Sequence, residues 1–276
     1  MQARLWITSA AIAIFGSVAS AQDASNLTID GVPMVTEIAA PSHMDNVDTI
    51  YSGWRFRAPE TQALEMDDFD NPAFVFVEQA EEIWATEDGS QGKACASCHA
   101  IEDFAGLRAT LPRVEDGKLV TLEDLINKSR VEHMGADPWK WSSGSMTAMT
   151  ALIGLQSRGM PMNVAIDGDA AAHWEAGKAL YYQRVGQLDM ACSNCHEDNY
   201  GVMIRADHLS QGQINGFPTY RLKNAKLNSI HGRFKGCMSN IRATPYAEGS
   251  DEFKALELYI ASRGQGLSVE TPSVRN

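Results

Sequence analysis

The chain has 276 residues, 44% of them hydrophobic, so it can fill one large or two small cores and is too apolar to be disordered throughout. Its formal net charge of −12 excludes a protein that binds nucleic acid or an anionic membrane by charge alone. Residues 1–21 read as a signal peptide: Arg4 supplies the positive start, Leu5 to Val18 is largely apolar, and Ala19-Ser20-Ala21 is a cleavage site of the A-x-A type. That apolar run is too short for a membrane span, and no later stretch is long enough. The expected mature protein is periplasmic, without a membrane span, and carries a net charge of −13 once Arg4 is removed.

Residues 22–70 are weakly patterned and read as an irregular N-terminal extension, with Ile50 to Arg57 as a short strand or extended clamp. Asn71 followed by Pro72 predicts a helix start, with a helix over Ala73 to Ala85. The pentapeptide Cys95-Ala96-Ser97-Cys98-His99 comes next. A second round opens near Ala170, with a helix predicted over Ala171 to Arg184 before Cys192-Ser193-Asn194-Cys195-His196. Both rounds end on an apolar helical run closed by Ser-Arg-Gly, at Ser157 to Gly159 and at Ser262 to Gly264. Glycine there suits a left-handed helix stop. The reading is an internal duplication in a mainly α protein, with units at 71–167 and 168–276.

The spacing C-x-x-C-H is that of covalent c-type haem attachment, with two thiols for the haem vinyl groups and an imidazole for the iron. A four-cysteine zinc site is the competing reading, but its usual gap between pairs is about 15–20 residues. Here 93 residues separate Cys98 from Cys192, and a histidine follows each pair. Two covalently bound haem c groups are therefore expected. Cys95, Cys98 and His99 would hold the first. Cys192, Cys195 and His196 would hold the second. The fifth cysteine, Cys237, has no partner for a disulfide. Arg233, Lys235 and Arg242 flank it in sequence, and positive charge favours a thiolate, which can also ligate haem iron. Cys237 is the distal candidate for the second haem. Aligning the two Ser-Arg-Gly ends sets Ser129 to Met134 opposite Cys237, so His133 or Met134 is the candidate for the first, with Met146 and Met149 as fallbacks. His43, His173, His208 and His231 are read as ordinary hydrogen-bonded residues.

Several stretches resemble the SoxA family, the haem-bearing subunits of periplasmic thiosulfate-oxidising (Sox) complexes. They are Ser52-Gly53-Trp54, Asp67 to Pro72, both pentapeptides, Phe234-Lys235-Gly236-Cys237, Arg242 to Pro245, Glu257 to Ala261, and the tail Gly266 to Arg275. The resemblance implies two tandem cytochrome c-like domains, the second catalytic, and L-cysteine S-thiosulfotransferase activity. It also implies a small SoxX-like cytochrome c partner in a heterodimer, a SoxYZ-like carrier protein whose cysteine receives thiosulfate, and a downstream cytochrome c that accepts electrons. It maps the family's catalytic cysteine, which forms a persulfide, onto Cys237, and the substrate-binding arginine onto Arg233. Lys235 is a second candidate for holding the thiosulfate dianion. One position departs: the family's Ile-Asn-x-Cys-Arg segment is Ile126-Asn127-Lys128-Ser129-Arg130 here, so the cysteine ligand of the first haem is replaced by Ser129. A plain two-haem electron carrier and a haem peroxidase remain the other classes open to such a chain.

Overall fold

The structure, a computed structural model, describes residues 27–205 and 207–276. The expected signal peptide lies outside the described residues. Strands β1 (Thr28–Ile29) and β2 (Val32–Pro33) form a hairpin, and β3 (Glu37–Ala39) and β4 (Thr49–Tyr51) form another. A 3-10 turn (Gly53–Phe56) and helix α1 (Pro59–Met66) follow. The extension is therefore ordered rather than irregular, and the expected strand over Ile50 to Arg57 stops at Tyr51. There the Ser52 side chain accepts from the Trp54 N–H and starts the turn. Leu27, Ile29, Met34 and Trp54 bury together and give this segment a small core of its own.

Helix α2 (Phe74–Ala85) begins after Asn71, whose side chain accepts from the Ala73 N–H at 2.9 Å, the capping role expected of it. Then come the β5 (Arg113–Glu115) and β6 (Lys118–Val120) hairpin, α3 (Leu122–Ser129), one π-helical turn (Arg130–Met134) and α4 (Gly144–Leu155). The second round has α5 (Ala171–Tyr182), the short α6 (Cys192–His196), and the β7 (Met203–Ile204) and β8 (Asp207–His208) hairpin. It continues with β9 (Thr219–Arg221), β10 (Lys226–Asn228), α7 (Ile230–Asn240), α8 (Asp251–Arg263) and β11 (Ser273–Arg275).

The two rounds share a register. Phe74 to Ala171 and Cys95 to Cys192 are both steps of 97 residues. The caps of α3 and α7, Thr121 and Ser229, are 108 apart, and those of α4 and α8, Ser143 and Ser250, are 107 apart. The π turn absorbs that one extra residue, as a π-bulge does. The step of 108 sets Ser129 opposite Cys237. The Ser-Arg-Gly likeness is out of this register by two residues. Ser157 accepts from the Arg108 N–H, whereas Ser262 accepts from the Trp174 indole at 2.8 Å. Gly159 is left-handed (φ +80°), but Gly264 is not (φ −93°), and the second reversal falls at Gly266 (φ +90°).

Helix α2 packs on α4, and α5 on α8. The two cores exchange hairpins. Leu227 of β10 lies in the core with Val77, Leu122, Ile126 and Leu152, while Leu119 of β6 lies with Trp174, Phe234, Phe253 and Tyr259. The boundary near residue 167 therefore separates sequence but not packing. The tail after α8 runs through the middle: Leu267, Val269, Glu270, Thr271 and Val274 are fully buried, and β11 pairs parallel to β9. The extension straps this tail through Ser268 N–H to Val35 O (3.0 Å) and Asn71 Nδ2 to Pro272 O (3.0 Å).

Helices α5 and α8 approach closely at Gly177, where an added Cβ would stand 2.0 Å from Ala255 O and 2.9 Å from Tyr259 Cβ. Gly177→Ala should destabilise the fold by about 1–3 kcal/mol through overpacking. Scanning calorimetry should show a melting temperature several degrees lower, and an unchanged one would refute the tight contact.

Candidate haem and thiolate site

The short helix α6 holds Cys192 and Cys195 one turn apart, and Asn194 caps it by accepting from the Ala191 N–H at 2.9 Å. His196 Nδ1 lies 2.7 Å from Ser210 O. Donation there leaves Nε2 as the free nitrogen, the arrangement that orients a metal-ligating histidine. Gly212, at φ +78°, lies against the ring: a Cβ on it would be 2.9 Å from the His196 Cγ and 3.0 Å from Nδ1. Gly212→Ala should therefore turn the imidazole. Electron paramagnetic resonance of the purified haem protein should show shifted low-spin signals, and signals identical to wild type would refute this role.

Helix α7, capped by Ser229 accepting from the Gly232 N–H at 3.1 Å, carries Cys237 on the side that meets His196. Burial pushes the Cys237 thiol up, but the Arg233 guanidinium, the His196 imidazole and Arg221 outweigh it and hold the group at about 7. As free thiols, Cys192 and Cys195 are both pushed up, by burial and then by the nearby Cys237, Cys192 to about 12. The surroundings thus favour the thiolate at Cys237 and the neutral thiol at Cys192 and Cys195. A cleft of about 610 Å³ is lined by Val185, Gln187, Met238, Arg242, Pro245 and Tyr246. Two cysteines on one turn, an imidazole with one free nitrogen and a facing sulfur fit a covalently bound haem.

Four arginines form one group, and two of them act on the sulfur. Arg57 pairs with Asp207 and donates to His208 O at 2.7 Å. Arg275 pairs with Glu65 and, at 3.1 Å, with Glu270. Arg233 on α7 and Arg221 on β9 both act on Cys237. Lys235, expected to help hold an anion, instead pairs with Glu248 at 3.1 Å on the exposed side of α7. It sits two residues from Cys237, and a helix turns neighbours at that spacing to different faces. Arg221, 16 residues upstream of Cys237 in the sequence, is the second guanidinium that acts on the sulfur.

At the first pentapeptide, Cys98 and His99 are exposed, and the His99 ring lies 5.4 Å from Phe104. Among the described residues no hydrogen bond, ion pair or ring contact joins His99 to His133 or Met134. His133 is exposed on the π turn, and Met134 is buried with its carbonyl accepting from the Gln91 N–H. Met146 and Met149 are fully packed in the first core. Of the other histidines, His231 is buried, stacks on Trp141 and pairs with Glu257 at 3.1 Å, and His43 sits edge-on to Trp174. His208 lends its carbonyl to Arg57, and His173 is half-buried on α5.

Residues 79–162, which include the first pentapeptide, match the family model of the SoxA/TsdA cytochrome c domain, so the class is that of c-type cytochromes. The chain is 54% identical over 270 residues to the L-cysteine S-thiosulfotransferase subunit SoxA of Rhodovulum sulfidophilum, covering 96% of this chain and 94% of that one. It is 57% identical over 249 residues to the same subunit of Paracoccus pantotrophus, covering 89% and 86%. A crystal structure of SoxXA from P. pantotrophus superposes with a TM-score of 0.88 at 55% identity, covering 91% of this chain and 97% of that one. The chain belongs to the SoxA family.

Proposed function

We propose that the chain is the thiol-bearing subunit of an L-cysteine S-thiosulfotransferase, which joins thiosulfate oxidatively to a cysteine of a SoxYZ-like carrier protein in the periplasm. The observation that carries this reading is the Cys237 sulfur set between the free side of His196 and two guanidinium groups. In this reading the two rounds of the fold are tandem cytochrome c-like domains, 71–167 and 168–276, each with one haem c. A SoxX-like cytochrome completes a heterodimer, and a further cytochrome c takes the electrons onward. Haem c would be held by Cys192, Cys195 and His196 and would supply one-electron acceptance near the Cys237 sulfur.

The residues of the chain do the rest. Arginine's planar fork matches the oxygens of a sulfur oxyanion, so Arg233 holds thiosulfate with its outer sulfur toward Cys237. The Cys237 thiolate and that outer sulfur form a sulfur–sulfur bond, and two electrons leave toward the cytochrome acceptor. The carrier thiolate then attacks the outer sulfur. The Cys237 bond breaks, Cys237 returns as a thiolate, and the carrier keeps the thiosulfate group. Over the cycle one carrier thiol and one thiosulfate give one conjugate, one proton and two electrons.

The test combines the purified complex, thiosulfate, carrier and oxidised cytochrome. Mass spectrometry should show the carrier gaining one thiosulfate group, and the chain itself carrying two haem masses. Reduction of the cytochrome without a carrier adduct would leave a plain electron carrier. A single haem mass would make the Cys95 motif vestigial.

A further inference from the structure

The corners that follow the π turn and α7 are built alike. In the first round Gly135 turns left-handed (φ +63°), and the loop before the pentapeptide closes on it through Ser90 N–H to Gly135 O (3.1 Å) and Gln91 N–H to Met134 O (3.1 Å). In the second round Gln187 N–H reaches Arg242 O (3.4 Å) and Leu188 N–H reaches Ile241 O (3.3 Å), so Arg242 stands where the first round has Gly135. Its φ is +58°. A residue with a Cβ is strained there and glycine is not. Both hydrogen bonds are made by the backbone, so the corner itself has no use for the side chain. Strain kept without a structural return marks a functional position.

The surroundings of Arg242 suit an anion. Its guanidinium is exposed, has no carboxylate partner among the described residues, and makes one long hydrogen bond, from Nη1 to the neutral Gln187 Oε1 at 3.5 Å. It lines the cleft of about 610 Å³ together with the apolar Val185, Met238, Pro245 and Tyr246. None of Cys192, Cys195, His196 and Cys237 lines that cleft. It nevertheless shares the last turn of α7 with the thiol-bearing residue, because Met238 follows Cys237 and the Cys237 carbonyl accepts from the Ile241 N–H at 3.3 Å. The wider charge points the same way. Residues 208–247 hold six lysines and arginines and no Asp or Glu, in a chain of net charge −12. Of these cations Lys235 is matched by Glu248, whereas Lys223 and Lys226 are exposed and have no carboxylate partner among the described residues. A cationic surface on an acidic chain complements an acidic partner. In the thiosulfotransferase reading, the carrier thiol has to reach the sulfur bonded to Cys237, so the carrier must rest on this surface.

We propose that the cleft at the end of α7 receives an acidic segment of the thiol-bearing carrier, with Arg242 taking a carboxylate and Met238, Pro245 and Tyr246 packing on its apolar part. The assignment rests on the thiosulfotransferase reading and names where its protein substrate docks.

The test follows carrier conjugation by mass with the intact haem-loaded complex, titrating the carrier at saturating thiosulfate and oxidised cytochrome. Arg242→Gly, which gives the corner the residue of the first round, should melt no lower than wild type and keep the wild-type haem spectrum. Its kcat/KM for the carrier should fall about ten- to a hundred-fold at low salt, the usual loss for a charge-assisted hydrogen bond. Near 0.5 M salt the gap should narrow to under about three-fold. Arg242→Lys keeps the charge at the same strained corner and should keep most of the efficiency. The KM values for thiosulfate and for the cytochrome should stay within about two-fold of wild type. An Arg242→Gly complex with wild-type efficiency toward the carrier would overturn the proposal. So would a loss that falls on thiosulfate, on the cytochrome or on haem content, or the release of a subunit from the complex, because each gives the cleft a different occupant. A wild-type complex that forms no carrier adduct would overturn the transferase reading, and this docking site with it.

Discussion

Replacing Cys237 by serine should lower thiosulfate conjugation to the carrier by about a thousand-fold or more while leaving the haem content at the wild-type level. The serine hydroxyl keeps nearly the same volume at the base of the arginines, so α7 and its packing on α8 should persist. What disappears is the polarisable sulfur that forms and breaks the bond, and removing a nucleophile outright is among the largest losses an active site can suffer. The attachment residues Cys192, Cys195 and His196 lie on a different helix. Carrier mass, followed against time, reads conjugation directly, and the visible spectrum reports haem content in the same sample. A conjugating Cys237→Ser protein would remove Cys237 from the bond-making steps and leave a chain that only conducts electrons.

Arg263→Ala should be the most destabilising single change in the second half, by about 3–5 kcal/mol, because it strands a buried charge. Arg263 and Glu197 are both buried and pair directly. Arg263 also lies over the Tyr181 ring, 4.4 Å from its centroid. Glu197 follows His196 in the chain and accepts from the Tyr182 hydroxyl at 2.8 Å and from Asn46 Nδ2 at 3.0 Å. Without the guanidinium, its carboxylate has two neutral donors and no counter-charge. Adding Glu197→Gln should recover part of the loss, since the amide no longer needs a cation. Denaturant unfolding of the single and double variants tests both statements, and an Arg263→Ala protein as stable as wild type would refute the pairing energy.

The chemistry of the site was readable where it is local in sequence. The pentapeptides, the helices before them and a basic segment around Cys237 each announce themselves within a few residues. What the sequence does not display is convergence: Arg221 acts on the sulfur from a three-residue strand and has no motif. Lys235 is near Cys237 in sequence, and in the fold it pairs with Glu248. The small sheets escaped because strands of two or three residues are too short to show alternation. Two of their turns do carry a sign, however. Asp30-Gly31 and Asp116-Gly117 both have positive φ at each residue, the Asp-Gly signature of a tight hairpin. The better markers of the expected duplication are the hydroxyl caps Thr121, Ser229, Ser143 and Ser250. Capping chemistry fixes where a helix starts, whereas a Ser-Arg-Gly likeness at a helix end fixes nothing by itself.

The exchanged hairpins bear on how the chain is born. Synthesis runs from the N-terminus, so the helices through Leu155 are complete while the space that Leu227 will occupy is still empty. The earlier half must wait, with apolar surface open, for a residue made much later. In return Leu119, made early, is already in place when the later half closes around it. A gene fragment ending at the apparent boundary would keep its own pentapeptide and lose the plug of its own core.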